Sequence, residues 1–75
     1  MIRVQAFARY RDLLGFQDQE FPLPAPATLA GLLADPLFSG LPAEALLAVN
    51  QTFATREAAL QDGDEVALLP PVSGG

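Results

Sequence analysis

The sequence predicts an α+β domain, a small sheet with helical cover on one face, and three observations carry that prediction. Residues Ile2 to Ala8 alternate as a half-buried strand does, with Ile2, Val4, Ala6 and Ala8 on one face. Thr28 opens a short segment that brings Leu29, Leu32 and Leu33 to one side of a helix. Near the end, the apolar run Val66-Ala67-Leu68-Leu69 lies between an Asp62-Gly63 turn and a Pro70-Pro71 pair, as a short interior strand would.

A chain of 75 residues forms one small domain, burying about 60% of its unfolded surface. With no Cys and no His, it lacks every usual zinc ligand except carboxylates and the nucleophile–base pairs of acyl-transfer enzymes. Autonomous catalysis is therefore not expected. The sequence is 51% hydrophobic, and no apolar run approaches the ~20 residues of a membrane span. Met1 to Ala8 contains Arg3 and is too short in apolar residues for a signal peptide, so a cytoplasmic protein is expected. The net charge of −5, nine acidic residues against four arginines, argues against nucleic acid and favours a partner lined with cations. There is no lysine. No internal side-chain amine can accept an isopeptide bond.

Within this frame each element has a local reason. Phe7 falls on the face of the first strand opposite Ile2 and Val4, beside Arg3 and Gln5, where an exposed aromatic suits a partner site. Arg9 to Leu14 reads as a short helical turn closed by Gly15, the residue type that helices prefer in a left-handed cap. Gln19 to Leu23 forms a second strand, antiparallel to the first, which Pro22 confines to the sheet edge. A stiff Pro24-Ala25-Pro26-Ala27 connection leads to the Thr28-capped helix. Gly31 weakens that helix by about 1 kcal/mol relative to Ala, and Pro36 ends it by Ala34. The stretch from Leu41 to Val49 is compatible with helix or strand by composition and periodicity. Thr55 is placed to cap one helical turn through Glu57 to Leu60.

Beyond Leu69 the character changes, dividing the chain into a domain over residues 1–69 and an arm over residues 70–75. Pro70 and Pro71 fix φ and remove two N–H donors, so the chain leaves the sheet as a stiff, polyproline-like segment. Val72, Ser73, Gly74 and Gly75 complete it, giving a reach of roughly 20 Å. Gly74 and Gly75 carry no side chains, so the tip fits a channel too narrow for a Cβ. The terminal carboxylate of Gly75 is the candidate reactive group.

The run from Asp62-Gly63-Asp64-Glu65-Val66-Ala67 into Pro70-Pro71-Val72-Ser73-Gly74-Gly75 closely resembles the small subunits of molybdopterin synthase, a family of ubiquitin-like sulfur carriers. The resemblance extends through Phe7-Ala8-Arg9-Tyr10-Arg11-Asp12-Leu13-Leu14-Gly15 and Ala48-Val49-Asn50-Gln51. It implies a ubiquitin-like β-grasp, a mixed sheet of four to five strands with one main helix packed across one face. It also implies a strand over Leu46 to Val49, a turn at Asn50-Gln51, and a short strand around Thr52-Phe53-Ala54. The first and last strands would then lie side by side, with Phe7, Ala67 and Leu69 as an outward partner-binding patch at the base of the arm; the family pattern adds Phe53.

In function, the resemblance implies a carrier that binds no cofactor itself. A ubiquitin-activating-type enzyme would adenylate Gly75 with ATP and Mg²⁺, a sulfur donor would convert it to a thiocarboxylate, and the large subunit of molybdopterin synthase would receive the sulfur. Catalytic residues would reside on those partners. The alternatives are a related carrier for thiamine or tRNA thiolation, and a ubiquitin-like modifier joined to proteins through Gly75.

Overall fold

Strand β1 (Ile2–Ala6) pairs antiparallel with β2 (Asp18–Phe21) on one side and parallel with β5 (Glu65–Leu69) on the other. Strand β3 (Leu46–Val49) lies antiparallel to β5 and to the short β4 (Thr52–Ala54), giving a five-stranded mixed sheet in the order β2-β1-β5-β3-β4. This computed structural model describes residues 1–71. First and last strands are central neighbours, the β-grasp arrangement that the family resemblance implies.

The alternating pattern decides which face is covered. Val4, Val66 and Val49 share one register row, and Ala6, Leu68 and Leu47 the next; all but the half-buried Val49 are buried, as is Ile2. Against them pack Tyr10 and Leu14 from α1 (Arg9–Leu14), Leu29 and Leu32 from α2 (Leu29–Leu33), Phe38 from a 3₁₀ turn at Pro36–Phe38, and Leu60. Phe16, Phe21 and Phe38 close the β2 side, with ring centroids 5.7 and 5.6 Å apart in sequence order. The cover is divided between two short helices and a 3₁₀ turn. Gly15, in a left-handed cap at φ 84°, stops α1, and Pro36 prevents α2 from continuing, so no single helix spans the sheet.

Local signals place most boundaries. Strand β2 stops immediately before Pro22, which has no N–H for the ladder. The Thr28 hydroxyl accepts from Gly31 N at 3.0 Å, as an N-cap should. Gly63 adopts φ 91°, the turn geometry that Asp62-Gly63 favours.

Two expectations need correction. Ala8 does not join Ile2, Val4 and Ala6 on the inner face: it is exposed at φ 53°, because the chain turns there to start α1. Tyr10 N donates to Phe7 O and Arg11 N to Ala8 O, both at 3.1 Å, closing that turn. Nor do Glu57 to Leu60 form a helical turn. The chain from Arg56 instead runs beside the start of α2, where Ala58 O accepts from Leu29 N (3.0 Å) and Arg56 O from Ala30 N (2.8 Å). Leu60 N donates to Ala27 O at 2.8 Å. These carbonyls satisfy amides at the N-terminus of α2 that have no intrahelical partner, and a local helix would withdraw them.

Candidate functional site

The sheet face opposite the helices is uncovered, and its residues follow from the same registers. On β5, Val66 and Leu68 point inward, so Ala67 and Leu69 point outward and are half-buried. Ala67 lies between Gln5 of β1 and Ala48 of β3, Ala48 lies opposite Phe53 of β4, and Leu69 lies opposite Leu46. Phe7, one residue past β1, stays beside β5 because its N–H donates to Leu68 O at 3.1 Å. Two alanines thus make a low floor between two phenylalanines. The result is a groove of about 280 Å³ that includes Phe7, Phe53, Ala67 and Leu69 together with Gln5, Ala48, Gln51 and Glu65.

All four sequence-predicted patch residues therefore line one site. Phe53 is 71% exposed and Phe7 43%, so two large apolar rings border the groove facing solvent and are not part of the core. Sequence reasoning missed Ala48, Gln51, Gln5 and Glu65, whose place depends on the β3–β5 and β1–β5 registers. The alternation of β3 held the signal for Ala48, but only pairing with β5 sets it beside Ala67.

Charge divides this outer face. Arg3 lies opposite Glu65 of β5 and Glu20 of β2, and its Nε is 3.4 Å from Asp18 Oδ1. Both side chains of that ion pair are well exposed, so it contributes little to stability. The charged end thus lies where β5 begins, and the apolar end where β5 leaves the sheet.

The turn at one rim is closely specified. Asn50 and Gln51 join β3 to β4 with φ of 50° and 70°, the two left-handed conformations of a type I′ hairpin turn. Asn50 Oδ1 accepts from Glu65 N and Asn50 Nδ2 donates to Asp64 Oδ1, both at 3.0 Å. Asn50 N donates to Glu65 O at 2.7 Å, and Asp64 Oδ2 accepts from Gln61 N at 2.8 Å.

The arm starts at the apolar end of the groove. Pro70 and Pro71 follow Leu69 directly and are half-buried. The tail residues Val72, Ser73, Gly74 and Gly75, with the candidate reactive carboxylate, lie outside the described residues. Among the described residues no group of three or more His, Cys, Asp or Glu is placed to hold a metal ion, and no helix is long and apolar enough to cross a membrane.

Comparison with known proteins bears on what such a site serves. The model of the ThiS family matches residues 4–75. The chain is 40% identical over 81 aligned residues to the molybdopterin synthase sulfur carrier subunit of Escherichia coli K12, covering 100% of both chains. It is 37% identical to the corresponding subunit of Chlamydomonas reinhardtii, covering 99% of this chain and 98% of that one. Among solved structures, a putative molybdopterin converting factor subunit 1 from Pyrococcus furiosus superposes with TM-score 0.81 at 30% identity, covering 95% and 97%. The complex of subunits 1 and 2 of the Helicobacter pylori molybdopterin-converting factor contains the same fold, with TM-score 0.69 at 23% identity and 99% and 97% coverage.

Proposed function

Because the chain belongs to the ThiS family, among the molybdopterin synthase sulfur carrier subunits, we propose that it carries sulfur as a thiocarboxylate on Gly75 and delivers it to the large subunit of a molybdopterin synthase. The observation that carries this reading is the continuity of the apolar groove with the arm: Leu69 lines the groove and Pro70-Pro71 leads directly from it towards the diglycine end. A partner seated on Phe7, Phe53, Ala67 and Leu69 receives the tail at a set starting point.

The chemistry required of the tail is modest for this chain and demanding for its partners. A carboxylate is a poor acyl donor until one oxygen is made a leaving group. An adenylating enzyme of the ubiquitin-activating type, using ATP and Mg²⁺, joins a Gly75 oxygen to the α-phosphate with loss of pyrophosphate. Hydrosulfide-level sulfur released by a sulfur donor then attacks the acyl carbon and displaces AMP, leaving the thiocarboxylate. This chain contributes a bare diglycine that lets partner backbone close around the reacting carbon, a stiff lead that limits the states the tail must give up on insertion, and the apolar face that docks.

Mass spectrometry of the protein from its own cells tests the reading. A sulfur-for-oxygen mass shift confined to the C-terminal peptide is the expected result. A tail found only as an amide joined to other proteins would replace the carrier reading with that of a modifier, and an unchanged carboxylate in cells making molybdopterin would overturn both. Reconstitution with the large subunit separates this carrier role from thiamine or tRNA thiolation: the thiocarboxylated chain should support dithiolene formation on the pterin precursor.

A further inference from the structure

We propose that Asn50 is a positioning residue, which through its bonds to Asp64 and Glu65 holds the β3–β4 turn so that Phe53 forms one wall of the docking groove. The inference rests on the docking role given above and assigns a task to a residue that never enters the groove itself.

Phe53 needs an external hold. It is 71% exposed, so packing does not fix its ring. Its backbone belongs to β4, which has three residues and pairs on one side only; hairpins of that size are marginal by themselves. The position of Phe53 is therefore set by the turn that feeds β4. That turn places Gln51 at φ 70°, a region disfavoured for residues other than Gly and Asn. Local preference does not secure it.

Asn50 supplies the missing hold. Its side-chain amide is used at both ends, accepting from Glu65 N and donating to Asp64 Oδ1 at 3.0 Å each, while its own N–H donates to Glu65 O at 2.7 Å. Asp64 is itself anchored by Gln61 N at 2.8 Å. The turn is thus tied to the entry of β5, the strand that bears Ala67 and Leu69. One fixed frame carries the groove floor and, three residues beyond Asn50, its exposed wall.

The donors and acceptors of this clamp can be exchanged. Asn50→Asp sets two carboxylates against each other, and Asp64→Asn leaves an amide donor facing a donor or an acceptor lost. Both together restore every bond and reverse only the one between the two side chains, with residue 64 donating to residue 50 while residue 50 still accepts from Glu65 N and residue 64 from Gln61 N, at unchanged net charge. Each full-length variant is titrated calorimetrically against the molybdopterin synthase large subunit, with thermal unfolding in parallel. Asn50→Asp should weaken binding about five- to tenfold, the scale of an exposed hydrogen-bond network, and the exchanged pair should recover it. In a Phe53→Ala background the Asn50→Asp loss should vanish, because the clamp acts through Phe53. A merely structural role would leave that loss in place, and persistence of the loss, or no recovery in the exchanged pair, overturns the proposal. If Asn50→Asp does not fold, the exchanged pair and Asp64→Asn decide the same question. Phe53→Ala weakening binding while both clamp variants bind normally removes the clamp alone, whereas wild-type binding by both Phe53→Ala and Leu69→Asp removes the docking surface and the clamp with it.

Discussion

Gly31 packs its Cα directly against the carbonyl of Pro26, so that a Cβ added to Gly31 would overlap the Pro26 oxygen. That oxygen also accepts from Thr28 N at 2.8 Å, and the Thr28 hydroxyl caps Gly31 N. The segment entering α2 is thus held at the one distance that glycine permits. Helix propensity alone favours Gly31→Ala by about 1 kcal/mol, but the overlap falls on backbone and cannot be relieved by a rotamer change. We expect the substitution to destabilise the fold by about 2 kcal/mol, lowering the thermal midpoint by roughly 10 °C. A midpoint at or above wild type would show that the α2 approach yields at little cost.

Gln51 offers the opposite case. At φ 70° in a type I′ turn, it occupies the position at which Asn-Gly turns carry glycine. Gln51→Gly should raise stability by about 0.5–1 kcal/mol with the same hairpin register, read by thermal unfolding and by amide exchange at Thr52 and Ala54. A lower midpoint would mean that the Gln51 side chain contributes more on the groove rim than its backbone strain costs.

Leu69→Asp probes the groove where it meets the arm. Leu69 is half-buried on the outer face opposite Leu46, so the isolated fold should tolerate a carboxylate that still reaches water. Burying that carboxylate unpaired beneath a partner costs about 2 kcal/mol or more, and affinity for the large subunit should fall at least roughly thirtyfold. Unchanged affinity in a folded variant would take Leu69 out of the interface.

At the tail, deleting Gly75 leaves Gly74 as the end with a chemically identical carboxylate, so any loss must come from reach. The arm shortens by about 3.3–3.6 Å, and misplacing a reacting atom by ~1 Å can cost a hundredfold in rate. Adding one alanine after Gly75 keeps a carboxylate and brings a Cβ to the tip. Both variants should fold normally and fail in ATP–pyrophosphate exchange with the activating enzyme. Near-normal exchange in both would rule out a site measured to the terminal glycine.

How far local pattern reaches can be judged residue by residue. The inward set Ile2, Val4 and Ala6, the face shared by Val66 and Leu68, the Thr28 cap, the edge position of β2 and the departure from the sheet at Pro70-Pro71 were all legible in sequence, although β2 ends at Phe21 and does not run through Pro22 to Leu23 as expected. Each depends on alternation, on a missing N–H or on a side chain reaching a few residues along the chain. Counting twos set Phe7 opposite the inward residues of β1 and put Ala67 and Leu69 on one face of their strand; that this face is the outer one, shared with Phe7 and Phe53, came from the family resemblance.

Tertiary structure alone decided the remainder. Thr55 to Leu60 carries a plausible helical signal, yet its carbonyls answer the unpaired amides of α2, about thirty residues earlier in the chain. Ala8 leaves the alternation because α1 must begin there. Gly31 looks like a defect in a helix until the Pro26 carbonyl lies against it. Ala48 and Gln51 enter the groove, and Asn50 meets Asp64, only once β3 has taken its register on β5. These facts share one physical cause: hydrogen-bond partners and close contacts far apart in sequence are set by how strands and helices pair in space, and no periodicity within a segment contains them.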